Sequence, residues 1–76
     1  MTIVDARGLA CPLPLTMAKR RMAELPAGAT LVVLATDPEA PIDLAAWAVD
    51  EGHALSERPG EGAWTEFELV KSAGER

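Results

Sequence analysis

Gly8-Leu9-Ala10-Cys11-Pro12-Leu13-Pro14 leads into a helical pattern and contains the only cysteine of the 76-residue chain. Proline has a φ angle close to the helical value and lacks an N–H, so it suits the first turn of a helix. We therefore predict that Pro12 occupies the first helical position and that Cys11 lies at or next to the N-cap. Gly8 tolerates backbone conformations that other residues resist, which allows the loop to turn sharply toward Cys11.

The predicted position of Cys11 affects the chemistry of its thiol. The first N–H groups of a helix are unpaired and carry the positive end of the helix dipole, which stabilises a thiolate over a thiol. Cysteines in such positions have pKa values of roughly 3.5 to 7.5 instead of roughly 8.5, and the thiolate is the nucleophile. A lone cysteine can also be a buried apolar residue. The two prolines favour the reactive alternative, because a core cysteine needs no helix start beside it.

Length and composition predict a single domain over residues 1–76, with an ordered core from about residue 2 to residue 71. One cysteine forms no internal disulfide, and one cysteine with one histidine cannot complete a zinc site. We therefore predict no metal and no cofactor. The sequence shows no signal-peptide pattern and no apolar run long enough to span a bilayer, so we expect a cytoplasmic protein that does not enter the membrane.

The charge distribution restricts the partners that the protein can bind. A formal net charge of −5 at pH 7 opposes direct binding to nucleic acid, because phosphate backbones are also negative. Basic residues are concentrated near Cys11 in the sequence, which predicts a local positive bias at the cysteine end of the protein. They are Arg7, Lys19, Arg20 and Arg21. We interpret them either as a solvated helix face or as a docking patch for an acidic partner.

Hydrophobic patterns predict the order strand, helix, strand, helix, strand, strand. The predicted strands cover residues 2–5, 30–35, 54–58 and 63–71, and the predicted helices cover 12–25 and about 40–51. The first helix has an apolar stripe of Leu15, Ala18, Met22 and Leu25. Residues 30–35 are almost wholly apolar, which is typical of an interior strand. This order fits a two-layer α/β (α+β) sandwich with both helices on one face of the sheet.

The second helix is predicted to begin with an irregular turn at Asp37-Pro38 or near Ala40, because Pro41 has no N–H for a helical hydrogen bond. Its polar stripe consists of Asp43 and Asp50. The apolar residues that we expect on the opposite, buried side are Ile42, Leu44, Ala45, Ala48 and Val49.

Three residues near the end of this helix have individual predictions. Trp47 projects beside the polar stripe, so we expect it to be partly exposed, either folded over the helix edge or in contact with a partner. Gly52 is predicted to form a left-handed helix cap. His53 follows it as a structural residue whose cationic form is favoured by the helix C-terminus.

Two blocks of the sequence resemble the TusA/SirA-like family of small sulfur carriers. The blocks are Asp5, Gly8 and Cys11-Pro12-Leu13-Pro14, and then Asp37-Pro38, Ala40, Asp43-Leu44, Trp47 and Gly52-His53-Ala54-Leu55. The resemblance covers nearly the whole chain. It implies a four-stranded mixed sheet of order 1-2-4-3 with two helices.

The resemblance also implies roles for individual residues. Cys11 is expected to carry sulfane sulfur as a persulfide, with Pro12 and Pro14 as its structural frame. Asp37 and Asp43 match family positions with a structural or interface-forming role. A cysteine that carries a persulfide has to be nucleophilic and exposed. It must also have no second cysteine nearby, because that thiol would discharge the sulfur as sulfide.

The partners that the resemblance implies are proteins. They are a sulfur donor such as a cysteine desulfurase or a rhodanese, and a downstream sulfur acceptor, with the carrier as a monomer or a weak dimer. An anionic sulfur donor would also suit the basic residues. Members that supply tRNA 2-thiouridine synthesis resemble Cys-Pro-Glu-Pro, and Leu13 stands here in place of that glutamate. Transfer toward tRNA thiolation, cofactor sulfuration or sulfur oxidation stays open.

A protein-interaction or thiol-based regulatory module without catalytic activity is the alternative function. The apolar strand Leu31–Ala35 and the side chains of Trp47 and Trp64 favour it, because such residues form contact surfaces when they are exposed.

Overall fold

Six elements follow one another in the computed structural model, which describes residues 2–72. They are β1 (Thr2–Ala6), α1 (Leu13–Ala23), β2 (Thr30–Ala35), α2 (Ala40–Glu51), β3 (Ala54–Pro59) and β4 (Thr65–Val70). The order agrees with the sequence-based prediction, and the bounds of β2 agree residue by residue. Residue 1 and residues 73–76 of the predicted domain lie outside the described residues.

The four strands form one mixed sheet in the order β1-β2-β4-β3. β1 pairs with β2 in parallel, with Val4 opposite Val33, and β4 is antiparallel to both β2 and β3. β2 and β4 are therefore the interior strands, which agrees with the apolar composition of β2. The strand order that the resemblance implied is confirmed.

A single apolar core lies between one face of the sheet and the two helices. Alternate strand residues and the inner helix faces contribute its members Val4, Ala6, Ala18, Met22, Leu31, Val33, Ala35, Ala40, Leu44, Trp47, Ala48, Phe67 and Leu69. The opposite face of the sheet carries ion pairs from Arg58 to Glu66 and Glu68. Both helices therefore cover the same face, as predicted.

The first helix begins one residue later than predicted. Pro12 is the N-cap, with φ −101° and ψ 22°, and Leu13 is the first helical residue. Pro14, in the first turn, is buried. The helix also ends before Leu25, which packs at the edge of the core. Lys71 closes this end, because its Nζ donates to the carbonyl oxygens of Met22 and Leu25.

The second helix begins at Ala40, which is one of the two predicted starts, but a different face of it is buried. Trp47 is only 8% exposed, whereas Ile42 is 65% and Val49 is 82% exposed. The expectations of a partly exposed Trp47 and of buried Ile42 and Val49 are therefore wrong. Residues 40, 44, 47 and 48 share one side of a helix with 3.6 residues per turn, and this side faces the sheet.

The end of α2 has the predicted glycine cap, which is followed by a histidine with a lowered pKa. Gly52 has φ +79°, a left-handed conformation that glycine adopts without penalty. The His53 ring packs edge-to-face on the Trp47 ring, with the two ring centroids 5.1 Å apart. Its Nδ1 accepts a hydrogen bond from the Ser72 N–H. Burial lowers the pKa of His53. The predicted preference for a cationic ring is therefore wrong, because desolvation opposes the charge and Nδ1 is an acceptor.

Replacing Trp47 by alanine tests this orientation of α2. We expect Trp47→Ala to lower the free energy of unfolding by about 3–5 kcal/mol, because a large buried side chain is lost. Val49→Ala, in the same helix, is the matched control and should change it by less than about 0.5 kcal/mol. Urea unfolding followed by circular dichroism measures both. Equal losses in the two variants would contradict the burial of Trp47.

Candidate functional site

Cys11 lies at the edge of the sheet where the parallel strands end. β1 and β2 run in the same direction, and each is followed by a loop and a helix. The loops that precede α1 and α2 therefore lie side by side. Gly8 connects them, because its N–H donates to Thr36 Oγ1 at 2.9 Å. This arrangement places the loop between β1 and α1, which contains Cys11, against the start of α2.

The backbone around Cys11 forms a turn that runs into α1. Gly8 has φ +81°, which explains the predicted need for glycine at this position. The Leu13 N–H donates to the Ala10 carbonyl at 2.9 Å, so the turn spans Cys11 and Pro12. The Cys11–Pro12 peptide bond is cis. Cys11 thus lies next to the N-cap, as predicted, and its side chain is exposed.

The thiol of Cys11 interacts with a carboxylate of the other helix. Its Sγ donates a hydrogen bond to Asp43 Oδ2 at 3.0 Å. This hydrogen bond, together with desolvation and the negative charges of Asp43, Asp37 and Glu39, raises the pKa of Cys11 to about 11. The sequence-based expectation of a lowered pKa is therefore wrong. A hydrogen bond to a carboxylate favours the protonated thiol, and this opposes the stabilisation of the thiolate that the start of a helix provides.

Arg7 is engaged in contacts of its own. Its guanidinium forms two hydrogen bonds with the Asp5 carboxylate, at 2.7 and 2.8 Å, and lies 4.6 Å from the centre of the Trp64 ring. The hydrogen bonds from Arg7 lower the pKa of Asp5 to about 2. Arg7 therefore connects the end of β1 to the β3–β4 hairpin.

The other basic residues lie in the second half of α1, away from Cys11. Lys19 is about 9 Å along the helix axis from Leu13, at a rise of about 1.5 Å per residue. Arg20 and Arg21 belong to the last turn, and Arg21 pairs with Glu24 at 3.1 Å. The predicted positive bias at the cysteine end is wrong, because the charged groups that act on the thiol are acidic.

Two features of this surface were not predicted from the sequence. Glu39 acts on the thiol through its charge, and two exposed apolar residues lie close in sequence to the contact, Leu13 two positions after Cys11 and Ile42 directly before Asp43. Asp37 caps the turn before α2, because its Oδ2 accepts the Glu39 N–H at 2.9 Å. The helix-start pattern at Asp37-Pro38 indicated this cap, but it carried no signal for the contact with Cys11.

The residues that favoured an interaction module lie elsewhere. Leu31, Val33, Ala35 and Trp47 belong to the core, so they supply no contact surface. Trp64 is partly buried and lies beneath the guanidinium of Arg7. The exposed groups around Cys11 therefore include the thiol itself, its acidic neighbours, a few apolar side chains and the Asp5–Arg7 ion pair at the end of β1.

Cys11 lies on an exposed surface of the protein. A cavity of about 290 Å³ lies near the ends of the two helices, lined by residues that include Met22, Trp47 and His53, but not Cys11. Within residues 2–72, no three His, Cys, Asp or Glu side chains are grouped so that they could hold a metal ion. Neither helix in this part of the chain is long and apolar enough to cross a membrane.

Comparison with known proteins gives the family. The family described as "Sulfurtransferase TusA" matches residues 2–71. The chain belongs to the TusA family. YrkI of Bacillus subtilis is 45% identical over 69 residues, which cover 91% of this chain and 92% of YrkI. The sulfur carrier protein TusA of Allochromatium vinosum is 41% identical over 69 residues, 91% of each chain.

A solved structure shares the fold of this TusA-family chain. The crystal structure of a SirA-like protein from Desulfitobacterium hafniense has a TM-score of 0.86 at 29% identity, and the match covers 95% of this chain and 99% of that one. The predicted family and fold are confirmed. The sulfur-carrier function that the resemblance implied is confirmed at the level of the family.

The contact between Cys11 and Asp43 predicts a specific pH dependence of thiol reactivity. In the wild type, the rate of alkylation by iodoacetamide should rise about tenfold per pH unit until the pH approaches the pKa of about 11. Asp43→Asn should lower this pKa and raise the rate at pH 8 about tenfold.

Glu39→Gln is the matched control for this measurement. It removes one negative charge near the thiol but leaves the hydrogen bond to Asp43 in place, so its effect should be clearly smaller. An alkylation profile that is the same for Asp43→Asn and the wild type would show that the carboxylate does not control the thiol.

Proposed function

We propose that Cys11 accepts a sulfane sulfur as a persulfide and passes it to an acceptor protein. The observation that carries the proposal is the exposed Cys11 thiol at the start of α1, in a chain of the TusA family. An exposed sulfur on an open surface can reach the reactive sulfur of another protein, whereas a thiol in a closed pocket could not. The function is therefore transfer between proteins.

The transfer needs no external oxidant or reductant. The Cys11 sulfur attacks the terminal sulfur of a donor persulfide, a new S–S bond forms at Cys11, and the donor S–S bond breaks. The donor leaves as a thiolate, which takes up the proton that the Cys11 thiol loses. Delivery to the acceptor repeats the same exchange in the opposite sense.

The presence of a single cysteine prevents loss of the persulfide sulfur within the chain. A second thiol near a persulfide can attack its inner sulfur, which forms a disulfide and releases the outer sulfur as sulfide. Cys11 is the only cysteine of the chain, so no such internal reaction is available. The bound sulfur therefore cannot be lost through an internal disulfide.

The motif residues have supporting roles in this proposal. Pro12 and Pro14 shape the start of α1, and Gly8 makes the preceding turn. Asp37 holds the turn before α2, which positions Asp43 against the thiol. These residues set the position of the sulfur without taking part in bond exchange.

The proposed donor is a protein that carries sulfane sulfur on its own cysteine, such as a cysteine desulfurase or a rhodanese. The proposed acceptor is also a protein, since the acidic surface around Cys11 opposes contact with nucleic acid. The cytoplasm is the proposed location, because thiols stay reduced there.

Incubation with a cysteine desulfurase and free cysteine tests the function. The wild type should gain the mass of one sulfur atom in intact-mass spectrometry, and a thiol reductant should remove it. Cys11→Ser is the matched control and should gain none. Absence of added sulfur on the wild type, or equal addition to Cys11→Ser, would refute the proposal.

A further inference from the structure

The contact between Cys11 and Asp43 is available only to the empty carrier. In the thiol form, Sγ has a proton to donate to Asp43 Oδ2 at 3.0 Å. In the persulfide form, Sγ is bonded to the outer sulfur and has no proton, so this hydrogen bond cannot form. Loading therefore removes a hydrogen bond between a thiol and a charged acceptor, a class that is stronger than neutral hydrogen bonds.

The charges near Cys11 act against the loaded form. Asp43 of α2 and Asp37 and Glu39 of the preceding loop are the charged groups that act on the thiol, and all three are acidic. The S–H group on the outer sulfur of a persulfide is more acidic than the S–H group of a thiol. The persulfide is therefore an anion over a wider pH range. Like charges at short distance repel one another, and this raises the free energy of the loaded carrier.

Among residues 2–72, the charges that act on the Cys11 thiol are all acidic, and several cationic side chains are engaged elsewhere. Arg7 is held by Asp5 and by the Trp64 ring, and Arg21 pairs with Glu24. Lys71 donates to the carbonyl oxygens at the end of α1. The electrostatic surroundings of Cys11 therefore favour the empty thiol over the anionic persulfide.

We propose that Asp43 is a positioning residue that sets the sulfur-transfer equilibrium of the carrier, because it stabilises the empty thiol and destabilises the loaded persulfide. This inference rests on the proposed persulfide function. Its consequence is directional: a carrier whose loaded form is raised in free energy gives its sulfur up readily to an acceptor. Asp43 thus favours delivery over storage.

This role can be tested by measuring the sulfur-exchange equilibrium between the carrier and glutathione persulfide, which involves no partner protein. The balanced reaction is carrier thiol plus glutathione persulfide, giving carrier persulfide plus glutathione. At a fixed ratio of the two glutathione species, Asp43→Asn should raise the ratio of loaded to empty carrier about tenfold over the wild type, as expected for the loss of one charge-assisted contact at an exposed site. Intact-mass spectrometry measures the ratio.

Two further variants separate this role from a structural one. Asp43→Glu keeps the charge and should load to a ratio close to that of the wild type, whereas Glu39→Gln keeps the hydrogen bond and should raise the ratio less than Asp43→Asn does. Added salt should raise loading of the wild type more than loading of Asp43→Asn, because salt screens the repulsion. Circular dichroism confirms that each variant is folded.

The outcomes separate the two proposals. A wild type that accepts no sulfur from either glutathione persulfide or a desulfurase would refute the persulfide function. A wild type that accepts sulfur, with an equal loaded-to-empty ratio in Asp43→Asn, would refute the role of Asp43 alone. The same ratio in Asp43→Asn and Glu39→Gln would also refute it, since the hydrogen bond would then contribute nothing.

Discussion

The parallel pairing of β1 with β2 is the constraint on which the site depends. Two parallel neighbours need a crossover connection, and α1 supplies it on the same side of the sheet as α2. Both helices therefore begin at the same end of the sheet, where β1 and β2 finish. Cys11 and Asp43 are 32 positions apart in sequence, yet they meet at hydrogen-bond distance because each lies beside the start of its helix.

Much of the fold could be predicted because its signals are local. The apolar run of β2, the start of α2 at Ala40 and the cap at Gly52 each depend on a few neighbouring residues. The orientation of α2 could not be predicted in the same way. Its sequence has apolar residues on two sides, one with Trp47 and one with Val49. Only packing against the sheet selects between them, and that selection is tertiary.

The thiol chemistry shows the same limit. The position of Cys11 next to the N-cap follows from two prolines, and this local feature favours a thiolate. The carboxylate that reverses the effect comes from another element, and its hydrogen bond acts directly on Sγ. The positions of the basic residues in the sequence also led to a wrong prediction, that of a positive bias near Cys11. Arg20 and Arg21 are near Cys11 in the chain, but the length of α1 separates them from it.

The outer strand β3 limits where another chain can attach. It ends the sheet order, so one side of its backbone is open to strand addition. Pro59 offers no N–H to an incoming strand, and Glu57 and Arg58 place charges along this border, which makes it a poor template for aggregation. At this border of the sheet, the open backbone is therefore a poor site for strand addition by another chain.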